Sequence, residues 1–395
     1  MKYAIILPDG AADEPCSELG GKTPLQAARL PAMDEIARIG RVGTVVTVPA
    51  GFTPGSEVAT MSLFGYDPRT DFPGRAPLEA AARGIAVDAE ELIFRCNFVT
   101  IHNESMVDFT AEHIRQAEAD TLIAHLNKAL REMGCRFHSG VSYRNLMVLS
   151  DTKDIQLKTT APHDIPGKDV SEFLPTGSGA ARVQAVMENA RYLLKEHPIN
   201  LLRVRRDERP ASDIWLWGQG RPGQLEPFAD RFGIKGAAIA AVDLIRGIAR
   251  LAGLTVLDVA GATGYLDTDY AAKGRAAVRA LDKFDLVIVH IEAPDEAGHL
   301  GDVAAKVTAL ERIDELIVAP LLSSLRSRGE WRLLIAPDHP TPVGKRVHTN
   351  APPPFCMAGS NIHPAAGFSY FDEDSARCGL QIQPGCEIMN YFLTG

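Results

Sequence analysis

The chain has 395 residues, of which 46% are apolar and 23% charged, with 34 Gly and 26 Pro. This composition excludes disordered and collagen-like chains, and the length suits a large α/β core carrying a second domain. A formal charge of -9, from 41 basic and 50 acidic residues with no Lys/Arg block, argues against nucleic-acid binding.

Tyr3–Leu7 is a short apolar run ending in Pro8-Asp9-Gly10, a buried parallel strand that delivers an aspartate at its carboxyl end. Arg41–Val48 reads as a second strand, followed by a Gly/Pro loop and a helical segment from Ser56 to Phe64. Ile93–Thr100, Asn145–Leu149 and Ile214–Trp217 read as strands, with helices over Ala111–Glu132 and Ala180–Glu196, an α+β pattern. Helical periodicity returns over Gly236–Leu251 and Val303–Arg328, interleaved with strands at Leu254–Val259, Phe284–Ile291 and Trp331–Ala336. The expected fold class is therefore α/β: a doubly wound, mainly parallel sheet with an inserted, smaller α+β domain. The Gly/Pro-rich stretches near Asp71–Pro77 and Gly218–Phe232 set the expected boundaries, with residues 1–77 and 233–395 forming the core and 78–232 the insertion. Six cysteines (16, 96, 135, 356, 378, 386) without a CxxC pair predict no disulfide framework and a reducing cytoplasm. The first apolar run is too short for a signal peptide, and no stretch approaches the ~20 apolar residues of a membrane span.

Metal-type ligands follow the strands of the proposed core. The first delivers Asp9. Another runs into Glu292-Ala-Pro-Asp295-Glu-Ala-Gly-His299, where a helix beginning at Pro294 would set Asp295 and His299 on one face. The last delivers Asp338-His339, with His348 close behind. Loops beyond the carboxyl ends of a parallel sheet converge, and three Asp with three His exceed one tetrahedral ion but suit two divalent cations. Ser56, after a Gly turn and in the first turn of a helix, is the candidate nucleophile and completing ligand. Each residue alone is ordinary; their joint placement after apolar strands carries the reading. Gly218-Gln-Gly220-Arg-Pro-Gly223 fits GxGxxG in letter but holds Pro222, and Gly20-Gly-Lys22-Thr23 lacks the upstream glycine of a P-loop.

The order Asp9, Ser56, Asp295-x-x-x-His299, Asp338-His339, His348 resembles the alkaline phosphatase superfamily. More closely, the chain resembles the archaeal-type branch of cofactor-independent phosphoglycerate mutase, through Thr53-Pro-Gly-Ser56, Phe64–Pro68, Gly74-Arg-Ala-Pro-Leu-Glu79, Ser142–Asn145, Ile234-Lys-Gly236 and Ala262–Asp267. The resemblance implies one divalent metal on Asp9, Ser56, Asp338 and His339 and a second on Asp295, His299 and His348. Mn2+ is the expected ion, and Mg2+, Zn2+ and Co2+ suit the same donors. It implies transfer of the phosphoryl group of 3-phosphoglycerate to the serine and back to the 2-hydroxyl, with no 2,3-bisphosphoglycerate. In the inserted domain Arg144, His163 with Asp164, Arg203 and Arg221, and at the junction Lys235, are the candidate oxyanion binders. Thr160–Gly167 and Trp215–Gly220 look closer to a bacterial subgroup proposed to act as homoserine kinases. A homoserine kinase-like phosphotransferase and a plain phosphomonoesterase therefore stay open as alternatives, as does the oligomeric state.

Overall fold

The computed structural model describes residues 1–365 and 367–394. Its chain divides into two compact units, Met1–Phe72 with Gln224–Gly395, and Pro73–Gly223. The insertion thus begins and ends earlier than residues 78 and 232. Helix Arg75–Ala82 packs Ala76 and Ala80 onto Ile93, Leu146 and Val148 of the smaller unit. Phe228, in contrast, is buried in the larger unit, where its N–H donates to the Ala252 carbonyl.

The larger unit is built on an eight-stranded sheet in the order Thr255–Val256, Gly236–Ile239, Leu286–Ile291, Lys2–Pro8, Trp331–Ile335, Pro354–Gly359, Arg41–Val45, Leu380–Ile382. All pairings are parallel except the two made by Pro354–Gly359. Ala4 and Ile6 enter one apolar cluster with Met33, Ile36, Leu310, Ile313 and Leu321. Ile5 and Leu7 point the other way and are equally buried. Both faces of the central strand are therefore covered, which is why its sequence is a continuous apolar run rather than an alternating one.

Several expected elements differ: the strand expected over Leu254–Val259 is only Thr255–Val256, the helical stretch Val303–Arg328 changes winding over Asp314–Val318, and two further cases have a clear cause. Gly236–Leu251 is not one helix: Gly236–Ile239 is a strand and only Asp243–Leu251 is helical. Its Gly-Ala-Ala-Ile sequence is buried on both sides, where periodicity does not separate strand from helix. The helix expected from Ala111 starts at Gln116, because Ala111, Glu112 and His113 all have positive φ near 50°.

The smaller unit holds a five-stranded antiparallel sheet, with Leu92–His102 between Arg144–Leu149 and Asp213–Gly220. Helices Gln116–Ala129 and Ala180–Lys195 cover one face through Leu122, Leu126, Val183 and Val186. This is an α+β arrangement. No helix among the described residues is long and apolar enough to cross a membrane.

Candidate metal centre

The centre forms where strands Lys2–Pro8, Leu286–Ile291 and Trp331–Ile335 end side by side. Pairing of Leu7 with His290 and Pro8 with Ile291 sets Asp9 level with Glu292. Gly10 then turns the chain with φ +61; a Cβ there would lie within 2.7 Å of Asp295, so this glycine admits the carboxylate to the site. The Gly10 N–H donates to Asp338 Oδ1 at 3.1 Å, and the His339 N–H donates to the same oxygen at 2.8 Å.

Among the described residues three ligand groups result, Asp295 with His299 and His348, Asp9 with Asp338 and His339, and Asp9 with His290 and Glu292, and the residues expected from sequence make up the first two. In the first, Asp295 and His299 lie one turn apart on helix Ala293–Leu300, with His299 Nε2 3.2 Å from Asp295 Oδ2 and His348 Nε2 3.4 Å from Asp295 Oδ1. His299 Nδ1 donates to the Arg346 carbonyl at 3.0 Å, and His348 Nδ1 faces the Pro54 carbonyl at 3.4 Å. Each carbonyl engages Nδ1, so both Nε2 atoms turn inward, 2.9 Å apart. Two imidazole nitrogens and a carboxylate converging on one point form a candidate cation site. Burial acts to raise the Asp295 carboxyl, but hydrogen bonds from His299 and His348 hold it well below the carboxylate range. His299 is raised to about 9, chiefly by that carboxylate.

In the second group, Asp9, Asp338 and His339 are fully buried. His339 Nε2 lies 3.3 Å from Asp338 Oδ2, 3.6 Å from Asp9 Oδ1 and 3.2 Å from Ser56 Oγ. Ser56 opens helix Ser56–Leu63, behind an extended Gly55. Asp9 Oδ1 and Asp338 Oδ2 are buried without a protein hydrogen bond. Burial and then the neighbouring Asp338 carboxylate push the Asp9 carboxyl well above its ordinary value. Crowded carboxylates with unpaired inward oxygens fit a divalent cation and are costly without one. The two groups adjoin, with the His339 and His348 rings 4.0 Å apart. The seven residues Asp9, Ser56, Asp295, His299, Asp338, His339 and His348 are thus gathered at one end of the sheet.

Residues not anticipated from sequence complete the site. His290 Nε2 lies 2.9 Å from Asp9 Oδ2 and 3.8 Å from Glu292 Oε2. Burial lowers His290 to about 4 and raises Glu292 to about 8. Thr341 Oγ1 donates to Asp295 and also lies 3.3 Å from His339 Nδ1. Lys273 is buried, with Nζ donating to the His290 carbonyl at 3.1 Å. The available signal was a histidine and a glutamate closing an otherwise apolar strand.

The anion-binding candidates separate. Lys235 lies at the other end of the sheet: its carbonyl accepts from the N–H groups of Asp285 and Leu286, at the amino end of the strand whose carboxyl end carries Glu292. Six residues at about 3.3 Å each leave roughly 20 Å between them, beyond a lysine's reach. Lys235 is corrected to a surface residue. In the smaller unit, Arg203 is also corrected: it is buried, and its guanidinium is spent on Glu118 (2.6 Å) and the carbonyls of Arg209 and Ala111. Arg221 donates to the carbonyls of Thr152 and Lys153, so it fastens a loop. Arg144 is exposed, and His163 is exposed with Nε2 3.8 Å from Asp164.

A family model described as 2,3-bisphosphoglycerate-independent phosphoglycerate mutase matches residues 37–200. A protein of that name from Methanothrix thermoacetophila is 50% identical over 397 residues, covering 100% of both chains. Another, from Methanosarcina acetivorans, is 47% identical, covering 96% of each. The solved structure of a cofactor-independent phosphoglycerate mutase from Thermoplasma acidophilum aligns with TM-score 0.71 at 26% identity, covering 100% of this chain and 99% of that one. With full-length relatives at this identity, the chain belongs to the family of 2,3-bisphosphoglycerate-independent phosphoglycerate mutases.

Proposed function

We propose that this chain interconverts 3-phosphoglycerate and 2-phosphoglycerate through a phosphoserine at Ser56, without 2,3-bisphosphoglycerate. The observation that carries it is the Ser56 hydroxyl, 3.2 Å from His339 Nε2 at the start of a helix and beside two carboxylate–imidazole clusters, in a chain of this family. The reading takes Asp9, Ser56, Asp338 and His339 as the holders of one cation and Asp295, His299 and His348 as the holders of the other. Bound there, divalent cations supply positive charge against the serine oxygen and the phosphoryl oxygens. Mn2+ is the ion proposed, since mixed carboxylate and imidazole donors suit it.

The chain's own part follows from its geometry. Ser56 Oγ bonds to phosphorus as the ester O–P bond breaks, and the serine proton ends on the released hydroxyl of glycerate. The reverse transfer, to the 2-hydroxyl, restores the serine and its proton. Atoms balance without nucleotide or water. The first helical turn aims N–H groups at the charge that develops near Ser56. His290 holds the Asp9 carboxylate, and Thr341 holds Asp295 and faces His339, so the donors keep their directions. Arg144, His163 and Asp164 of the smaller unit are proposed to meet the anionic groups of the substrate. Buried free thiols at Cys96, Cys135 and Cys356 suit a reducing cytoplasm.

The test is turnover of 3-phosphoglycerate by the metal-loaded protein, coupled to enolase, with ATP and bisphosphoglycerate omitted. Product in that mixture, lost in Ser56→Ala with metal content retained, is the expected result. Activity that requires ATP and homoserine would overturn the reading.

A further inference from the structure

The loop from Pro340 to Thr349 joins two candidate ligands, His339 and His348, and holds a strained residue. Arg346 has φ +59, in the left-handed region that residues with a Cβ enter only at a cost. The loop is pinned at several points. The Thr349 N–H donates to the Pro340 carbonyl at 3.0 Å and closes its ends. The N–H groups of Lys345 and Arg346 both donate to the Pro342 carbonyl, at 2.9 and 2.8 Å. The Val343 N–H reaches Asp13 Oδ2 at 3.2 Å. A strained backbone persists where its surroundings over-determine it, and these bonds do so for Arg346.

The consequence falls on helix Ala293–Leu300. The Arg346 carbonyl accepts from His299 Nδ1 at 3.0 Å, which turns His299 Nε2 toward Asp295 Oδ2, at 3.2 Å, and His348 Nε2, at 2.9 Å. The Arg346 side chain lies against the end of the same helix. A Cβ on Gly301, the residue that ends it, would fall 2.5 Å from Arg346 Nε, so glycine at that position lets the loop come this close. Arg346 is exposed, so replacing it opens no cavity in the core.

We propose that Arg346 is a positioning residue for the cation held by Asp295, His299 and His348, and that it acts through its left-handed backbone rather than its charge. The inference rests on the reading of those three residues as cation holders. A carbonyl on Nδ1 fixes the hydrogen there and leaves the Nε2 lone pair to the ion. Partners of this kind are worth about 10–100-fold in metal affinity. A β-branched residue is a poor occupant of the left-handed region, so Arg346→Val opens the turn and draws the carbonyl off Nδ1. Glycine enters that region freely, so Arg346→Gly removes the guanidinium and keeps the turn.

The experiment titrates Mn2+ into the chelated full chain by calorimetry, for wild type, Arg346→Val, Arg346→Gly, His299→Ala and the combined His299→Ala, Arg346→Val variant, with thermal melts of the metal-free proteins. Arg346→Val should weaken Mn2+ binding by at least about tenfold at the site that His299→Ala also weakens, with Arg346→Gly within about threefold of wild type. In the His299→Ala background the valine should cost less than about threefold, because no imidazole is left for the carbonyl to aim. Wild-type Mn2+ affinity in Arg346→Val overturns the inference, even where its metal-free melting temperature falls, since a purely structural role reads that way. A glycine variant weakened as much as the valine overturns it too, because the guanidinium would then be responsible, and so does an undiminished valine effect without His299. His299→Ala that binds Mn2+ like wild type refutes the cation reading, and the inference with it. Loss in His299→Ala beside an unaffected Arg346→Val refutes the inference alone. If Arg346→Val does not fold, Arg346→Thr puts the same backbone question with a polar β-branched side chain.

Discussion

Lys306→Met should destabilise the larger unit severely, because one buried ammonium ties together two loops that carry the candidate ligands. Lys306, on helix Val303–Ile313, is fully buried, and its Nζ lies 2.7 Å from Asp13 Oδ2, 2.9 Å from the Thr341 carbonyl and 3.3 Å from the Ala12 carbonyl. Asp13 belongs to the loop after Asp9, and Thr341 to the loop after His339. Removing the ammonium leaves the Asp13 carboxylate buried with only the N–H groups of Val343 and Glu14. Breaking a buried pair from one side costs about 3–5 kcal/mol. At roughly 2–4 °C per kcal/mol for a unit of this size, the melting temperature should fall by roughly 6–20 °C. The assay is thermal and urea unfolding of metal-free protein, for Lys306→Met, Asp13→Asn and the double variant. The double variant should lie above Lys306→Met, since neutralising Asp13 removes the uncompensated charge. A melting point for Lys306→Met within about 2 °C of wild type would refute the reasoning.

Chelation should lower the melting temperature and Mn2+ should restore it, because Asp9 Oδ1 and Asp338 Oδ2 are buried without a protein hydrogen bond; at a hundredfold excess over Kd the restored stability is about 2.7 kcal/mol. An unshifted melt on chelation would deny that cations compensate this cluster. Asp295→Asn should reduce metal content from two ions per chain toward one, read by elemental analysis, since His299 and His348 both turn on that carboxylate; undiminished loading removes it from the site. Asp314 caps helix Pro31–Ile39 by accepting from the N–H groups of Ala32 and Met33, so Asp314→Ala should cost about 1–2 kcal/mol in urea unfolding, and no loss would dismiss the cap. Burial raises the Asp314 carboxyl to about 6, against those amides. A raised carboxyl contributes stability fully below its unfolded value near 4, lost as pH rises through 6. Wild type should therefore lose ground to Asp314→Asn between pH 4 and 7; a constant gap would contradict this.

The residues of the metal centre were legible because chemistry left them conspicuous: Asp9, Asp338 and His339 stand at the ends of apolar strands, and Asp295 and His299 share a helical spacing. The carboxyl ends of parallel strands lie on one edge, so topology converted strand-end position into convergence. His290 was passed over because it lies within an apolar strand, where only pairing with Asp9 reveals its role. Lys235 and Arg203 show the opposite failure. A cation near a junction or in a helix carries no mark of which end of the sheet it occupies, or of which acceptors it already serves. Likewise, Gly236–Ile239 became a strand through its neighbours, not its period. By itself the sequence marked the candidate ligands, the candidate nucleophile and most of the alternation of strand and helix, since these are properties of local residue order. Tertiary structure alone decided that Arg203 and Arg221 are spent within the fold, because the acceptors that take each guanidinium are brought to it from distant parts of the chain.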